Sequence, residues 1–559
     1  MKHLFIFFCL LSTLTFALCH EANLVLKNGK IITMDDKQMK VQAIAVCKNK
    51  IVAVGSNKEI EKWIDSQTKV IDLNGKLVVP GFIETHGHLV DTGKLELVID
   101  LDKAVNEKHA AQMVEKYAKK IPSGEWIMGQ SWDQNNWTRK KFPEFYSITK
   151  AAPNNPVCLY RIDYHAIWVN KKAMEIAGIS KNTVSPKGGR IIRDKNGNAT
   201  GVFIDNAMNL ILNKIPKSNK TRIKKAACIA IKKCLSLGVT TFHDAYCRQE
   251  EIEVYHDLLQ NNELPIRLYA IINATKENLK IFLPKGPKIG IGNHHLTIRA
   301  IKLTADGALG SRGAALIEDY SDEPGKKGLL MLSQQEIYEL SMLALKHKFQ
   351  VATHAIGDKT NQVTLDAYEQ AFKEHFNGKI EKGKNVRFRI EHAQILAKQD
   401  IPRFAKLGII AVMQATHCTS DMPWVHDRIG KERTKQGAYI WQALLKTGAI
   451  VSGGSDTPVE SVNPLWGFYA AITRQDHKGN PKKGWYPDQK LTRMQALKTY
   501  TMNAAYCGFE EKIKGSLKVG KLADMVVLSR DIMAIPTNEI LETKVLLTII
   551  GGKIVYSQE

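Results

Sequence analysis

The chain has 559 residues, with 79 Lys+Arg against 56 Asp+Glu and a formal net charge of +23. Its 44% hydrophobic and 24% charged residues are an ordinary globular composition, which excludes a disordered or fibrous chain and predicts more than one structural unit. The basic residues are scattered singly or in short runs such as Arg139-Lys140-Lys141, without a long stripe or a recognition motif. The charge therefore reads as a lysine-rich solvated surface, with no specific nucleic-acid partner expected.

The first residues, basic Met1-Lys2-His3 followed by the apolar LFIFFCLLSTLTFALC, have the layout and length of a signal peptide over residues 1–19, with Ala17 and Cys19 as small residues ahead of His20. Export to a periplasmic or secreted location is the expectation. Lipidation at Cys19 stays open, although Leu18 is bulky for such a site. No later apolar run is long enough to span a bilayer. The seven remaining cysteines are an odd number, widely spread and without a Cys-x-x-Cys pair. They indicate neither a disulfide framework nor a thiolate metal site, but buried small hydrophobes.

Residues 20–80 read as short strands joined by turns, with Asn28-Gly29 and Asn74-Gly75 as hairpin dipeptides. The same character returns over residues 509–559, which predicts one small β-sandwich built from both ends of the chain. Between them, residues 81–508 alternate short apolar runs with segments of helical period. LVVPGFIETHGH, GVTTFHDA, IRLYAIIN, LTIRAIKLTADG, QVATHAIG, VRFRIEHAQ, IIAVMQAT and AIVSGGSDTP are eight strand candidates. Eight β-then-α units predict an α/β fold of the (β/α)₈ TIM-barrel type, in which chemistry sits at the C-terminal ends of the strands. A large insertion after the first barrel strand, residues about 102–220, is too long for a loop and predicts a lid or substrate wall. Its Trp126, Trp132, Trp137 and Trp168 point to a substrate with an apolar or aromatic part.

His86 and His88, two apart in PGFIETHGH, fall on one side of an extended strand, where both imidazoles can reach one metal. His354, His392 and Asp456 end the fifth, sixth and eighth strand candidates, and Lys302 lies near the end of the fourth. Histidines without a shared role have no reason to choose these strand ends. Asp358 reads as the N-cap of a helix beginning at Lys359, and His243 and Asp244 as residues able to orient a ligand.

With PGFIETHGHL, GQSWDQNNW, HAIWVN, IKLTADGALGSRGAAL, THAIGD, RIEHAQ, VMQATHCTSD and GGSDTPVESVNPLWGFYAAITR, the mature chain resembles the amidohydrolase superfamily of metal-dependent hydrolases. Within it the chain is similar to the YtcJ-like (amidohydrolase-3) family, which includes N-substituted formamide deformylases. Glu84 stands where that family usually has Asp, a change that keeps the carboxylate. The resemblance implies a divalent metal centre, zinc by family habit, of one or two ions. His86, His88 and Asp456 would hold one ion, His354 and His392 a second, and Lys302, N6-carboxylated, would bridge them. Asp456 would also be the catalytic proton carrier.

A lysine desolvated near metals can lose its proton and take up CO₂. The other reading of Lys302 is an ammonium paired with Asp306, beside one metal on His86, His88, His354 and Asp456. Trp132, Asp306, Arg312, His417 and Arg474 are candidate substrate-binding residues, with Asp133, Asp163 and His165 in similar motifs. The function expected is an exported hydrolase of a C–N bond in an amide, formamide or related non-peptide small molecule, with a homo-oligomer possible. The alternatives are a mononuclear deaminase of the same superfamily, whose members generally lack the strand-four lysine, and a non-catalytic exported binding protein.

Overall fold

The structure is a computed structural model that describes residues 21–95, 97–216 and 220–558, so the expected signal segment lies outside the described residues. Eight parallel strands form the central sheet: β1 Phe82–Gly87, β2 Val239–Cys247, β3 Arg267–Asn273, β4 Leu296–Thr304, β5 Gln350–Ala355, β6 Arg389–His392, β7 Ile410–Gln414 and β8 Val451–Gly454. Each pairs in register with the next from β1 to β8. Both faces of these strands are buried, one inside the barrel and one under helices, so that apolar residues alternate with buried polar ones such as Glu84, His243 and Arg389. The helices follow their strands as expected for (β/α) units, for example Gln334–Lys346 after β4, opened by a Ser333/Glu336 capping box.

The seam between β8 and β1 is closed by individual bonds. The Asp456 N–H donates to the His86 carbonyl at 2.7 Å, the Thr85 hydroxyl to the Gly453 carbonyl at 2.8 Å, and the Ser455 N–H to the Glu84 carboxylate at 2.9 Å. Glu84 also accepts the His86 N–H at 2.9 Å. It reaches strand β8 because Gly454 has no side chain: a Cβ there would lie 2.7 Å from the Glu84 Oε1. The barrel mouth is therefore assembled by the residues that flank its metal-ligand candidates.

Segments from both ends of the chain build two further sheets. One runs Lys50–Gly55, Ala43–Cys47, Leu24–Lys27, Lys69–Asp72, and the other Lys553–Ser557, Val545–Ile550, Met525–Leu528, Leu77–Pro80, Lys30–Ile32, Lys40–Val41. One apolar cluster takes Leu26 and Ile44 from the first sheet and Val78, Val527 and Ile549 from the second. The segment expected to be one strand over LVVPGFIETHGH divides at Gly81, giving Leu77–Pro80 to a terminal sheet and β1 to the barrel. Cys158, Cys234, Cys247, Cys418 and Cys507 are buried free thiols, as expected, and Cys228 is half-buried; Cys47 departs from the expectation and is disulfide-bonded.

Residues between β1 and β2 form a six-stranded sheet in the order Gly189–Arg193, Ala199–Asp205, Ala166–Val169, Val157–Arg161, Ile127–Trp132, Ile99–Asp100. The expected role of its tryptophans is corrected here. Trp132, Trp137 and Trp168 meet with ring centroids 6.2–6.4 Å apart in this sheet's own apolar core. Trp132 has no solvent exposure, and its indole N–H donates to the Leu159 carbonyl at 2.8 Å.

Arg267 on β3 ties the barrel floor to a terminal sheet through a bidentate pair with Asp524, at 2.7 and 2.9 Å, both side chains buried. Asp524→Ala strands the guanidinium away from water. The expected cost is about 3–5 kcal/mol, read as a lowered urea midpoint, whereas an unshifted midpoint would show that the pair is not holding the two units together.

Candidate metal centre

His86 lies within β1, Lys302 two residues before the end of β4, His354 within β5 and His392 at the end of β6. His88 and Asp456 follow β1 and β8 by one and two residues. All six meet at the C-terminal mouth, where the (β/α)₈ architecture places chemistry. The His88 and His86 Nε2 atoms stand 3.2 and 3.4 Å from the Asp456 Oδ1, and the Lys302 Nζ stands 3.3 Å from the His86 Nε2. Ring centroids of His86 and His392 are 4.9 Å apart, and those of His392 and His354 4.5 Å.

Among the described residues, two groups have donor atoms close enough to share an ion, His86–His88–Asp456 and His392–His417–Asp456, with Asp456 common to both. His417, expected at the substrate wall, thus joins the ligand candidates, carried by the short helix Ala415–Asp421 directly after β7. His354 lies beside His392, but its Nε2 is buried, lacks a hydrogen-bond partner and stands 3.4 Å from the Asp306 Oδ1. The His417 Nε2 is likewise without a partner. Such orphaned imidazole nitrogens are what a divalent cation would satisfy.

Electrostatics suit that role. Burial, with the neighbouring cationic groups, holds His354 and His392 well below the usual histidine range, so their lone pairs are free at neutral pH. Against the cost of burial, His86 and His88 keep Asp456 ionised well below the usual carboxylate range. Burial lowers Lys302 to about 8 despite the nearby Glu391 and Asp456 carboxylates.

One functional residue was not singled out from sequence. Glu391 bonds the His86 Nδ1 and is itself gripped by Arg389 at 2.7 and 2.8 Å. It fixes the His86 ring so that Nε2 faces the centre. The available signal was Arg389 and Glu391, two apart in a strand buried on both faces, where opposite charges must find each other. By strand alternation His392 should face away from Glu391's side. Its left-handed backbone, φ 73°, lets both consecutive residues face His86. Asp456, φ 60°, is turned in the same way. Backbone strain of this kind concentrates at functional sites.

Other expected site residues are not at the centre. Asp306 has its oxygens occupied by the N–H groups of Ala315, Ile356 and Gly357 and the Thr360 hydroxyl. It clamps loops and does not pair with Lys302. Arg312 turns outward to Asp322 at 2.8 Å. Arg474 is fully buried, donating to the Tyr439 carbonyl at 2.9 Å and to that of Trp485 at 2.5 Å, with its guanidinium over the Trp441 ring. It supports the wall from behind. Arg161 pairs with both Asp133 and Asp163.

Asp358 is the first helical residue, Gly357 being the N-cap, and its carboxylate accepts the Ile317 N–H at 2.9 Å. The His243 Nδ1 lies 3.1 Å from the Arg389 guanidinium, and Asp244 accepts the Leu89 N–H at 3.0 Å.

The chain belongs to the amidohydrolase family, whose model matches residues 69–556. It is 32% identical to YtcJ of Bacillus subtilis (strain 168), covering 95% of this chain and 98% of that one. It is 26% identical to the N-substituted formamide deformylase of Arthrobacter pascens, over 96% and 98% of the two chains. Among solved structures it is similar to an uncharacterized metal-dependent hydrolase from Pyrococcus horikoshii OT3, with a TM-score of 0.74, 26% identity and coverage of 92% and 99%. The protein is a hydrolase of this family, and the donor sets at its barrel mouth suit a divalent metal.

Glu391→Gln removes the charge that orients His86. Zn²⁺ affinity of the folded protein is expected to fall roughly 10- to 100-fold by isothermal titration; unchanged affinity would remove Glu391 from the centre.

Proposed function

We propose that this protein hydrolyses the C–N bond of a small non-peptide amide, formamide or related substrate, and that Lys302 serves it as an N6-carboxylated ligand. The observation that carries this reading is the placement of Lys302: a buried amine 3.3 Å from the His86 Nε2, lowered to about 8, and without the Asp306 partner that would hold it as a structural ammonium. Carboxylation forms an N–C bond from the neutral amine to CO₂ with loss of one proton, which turns a group unable to ligate a cation into an anionic bidentate one. His86, His88 and Asp456 form one set of close donor atoms near it, and His392, His417 and Asp456 a second.

A divalent metal, when bound, makes water acidic near neutral pH and polarises a carbonyl oxygen. Asp456, kept ionised by His86 and His88, is placed to take the water's proton and return it to the departing amine. The donor set of imidazoles and carboxylates suits zinc, and also manganese, iron or cobalt. Similarity to the Arthrobacter pascens deformylase supports formamides as the first substrates to try. We read residues 1–19 as an export signal, the inserted sheet as a wall beside the barrel, and the two terminal sheets as one sandwich, since they share an apolar cluster.

Chelator treatment is expected to abolish turnover of 4-nitroformanilide, with recovery on adding Zn²⁺. Asp456→Asn should still bind metal yet turn over at least ~100-fold more slowly. Near-normal turnover by that variant would remove Asp456 as proton carrier, and a chelator-insensitive rate would overturn the metal-dependent reading.

A further inference from the structure

The inserted sheet approaches the metal centre at His165. His165 lies in the loop before Ala166–Val169, its ring centroid 5.0 Å from that of His354. Its Nδ1 is bonded to the Asp205 Oδ1 at 2.6 Å, and the backbones of the two residues are joined by the Asp205 N–H and the His165 carbonyl at 3.0 Å. The Asp205 side chain has no solvent exposure, while that of His165 keeps 18%, against 6% for His354. One ring nitrogen is therefore held from behind, while the ring keeps part of its surface open to solvent beside His354.

Considerable structure is invested in that arrangement. Asp205 sits at φ 51°, ψ −127°, a conformation that residues with a side chain rarely adopt. Its carboxylate lies against Gly307 and Gly313, where any Cβ would collide with it. Gly310, between them, lies under the Arg161 guanidinium, with a built Cβ 3.1 Å from Nη1. The glycines of GALGSRG, which follow the strand bearing Lys302, are thus a cradle for two charged side chains of the inserted sheet. Among the described residues, His165 belongs to neither group of close-set ligand atoms.

We propose that His165, oriented by Asp205, is a substrate-contacting catalytic residue that the inserted sheet lends to the barrel. The inference rests on the hydrolase reading above. Asp205 is a positioning residue: by accepting from Nδ1–H it fixes the ring plane, as a carboxylate behind a working histidine does.

The test compares wild-type protein with His165→Ala, His165→Gln and Asp205→Asn on 4-nitroformanilide, with metal content measured in each. Wild-type activity that chelation abolishes establishes the hydrolase reading independently. His165→Ala and His165→Gln are expected to lower kcat/KM roughly 100-fold with metal content unchanged, and added imidazole to restore part of the rate to the alanine variant. Asp205→Asn is expected to lower it as well, since a neutral carboxamide holds the Nδ1–H less firmly than the carboxylate does. Unchanged kcat/KM in both His165 variants would overturn the proposal. So would a loss that follows metal content, or one that imidazole does not recover.

Discussion

The buried chain of contacts from Arg389 through Glu391 to His86 is the constraint on which the site depends. A carboxylate fully enclosed in a barrel is costly unless its charge is matched. Here Arg389 and His86 keep Glu391 far below the usual carboxylate range against that cost. The same contact decides which nitrogen of His86 faces the centre, and so where Asp456 and Lys302 can meet it. Glu84 then joins the backbone of His86 to strand β8, and barrel closure and ligand placement become one event.

Around this core the centre combines groups that burial makes neutral with groups that pairing keeps charged. His354 and His392 are held unprotonated, Lys302 is brought within reach of neutrality, and Asp456 stays anionic. Such separation of titration behaviour within one site is the usual mark of a site arranged for chemistry.

Much of this was legible in the sequence because strand ends are. A His-x-His before a helical segment, and His, Lys or Asp closing later apolar runs, mark the mouth of a (β/α)₈ barrel through the position of the run alone. What periodicity does not convey is direction. His392 and Asp456 face the centre through left-handed backbone angles, so simple alternation would have turned His392 away. Arg312, also left-handed at φ 60°, is turned outward to Asp322 instead. Trp132 lies in a motif beside the mouth, yet its ring completes the inserted sheet's own core. His417, a substrate-binding candidate by its motif, lies on a short helix beyond a strand end, where spacing carries no information about reach.

The most direct test of the account is a crystal structure at the metal's absorption edge, of protein grown and purified with bicarbonate and zinc. Two anomalous peaks flanking a carboxylated Lys302, with Asp456 and the histidines of the mouth around them, are the predicted result. A free Lys302 ammonium beside a single ion, or no ion at saturating zinc, would contradict it.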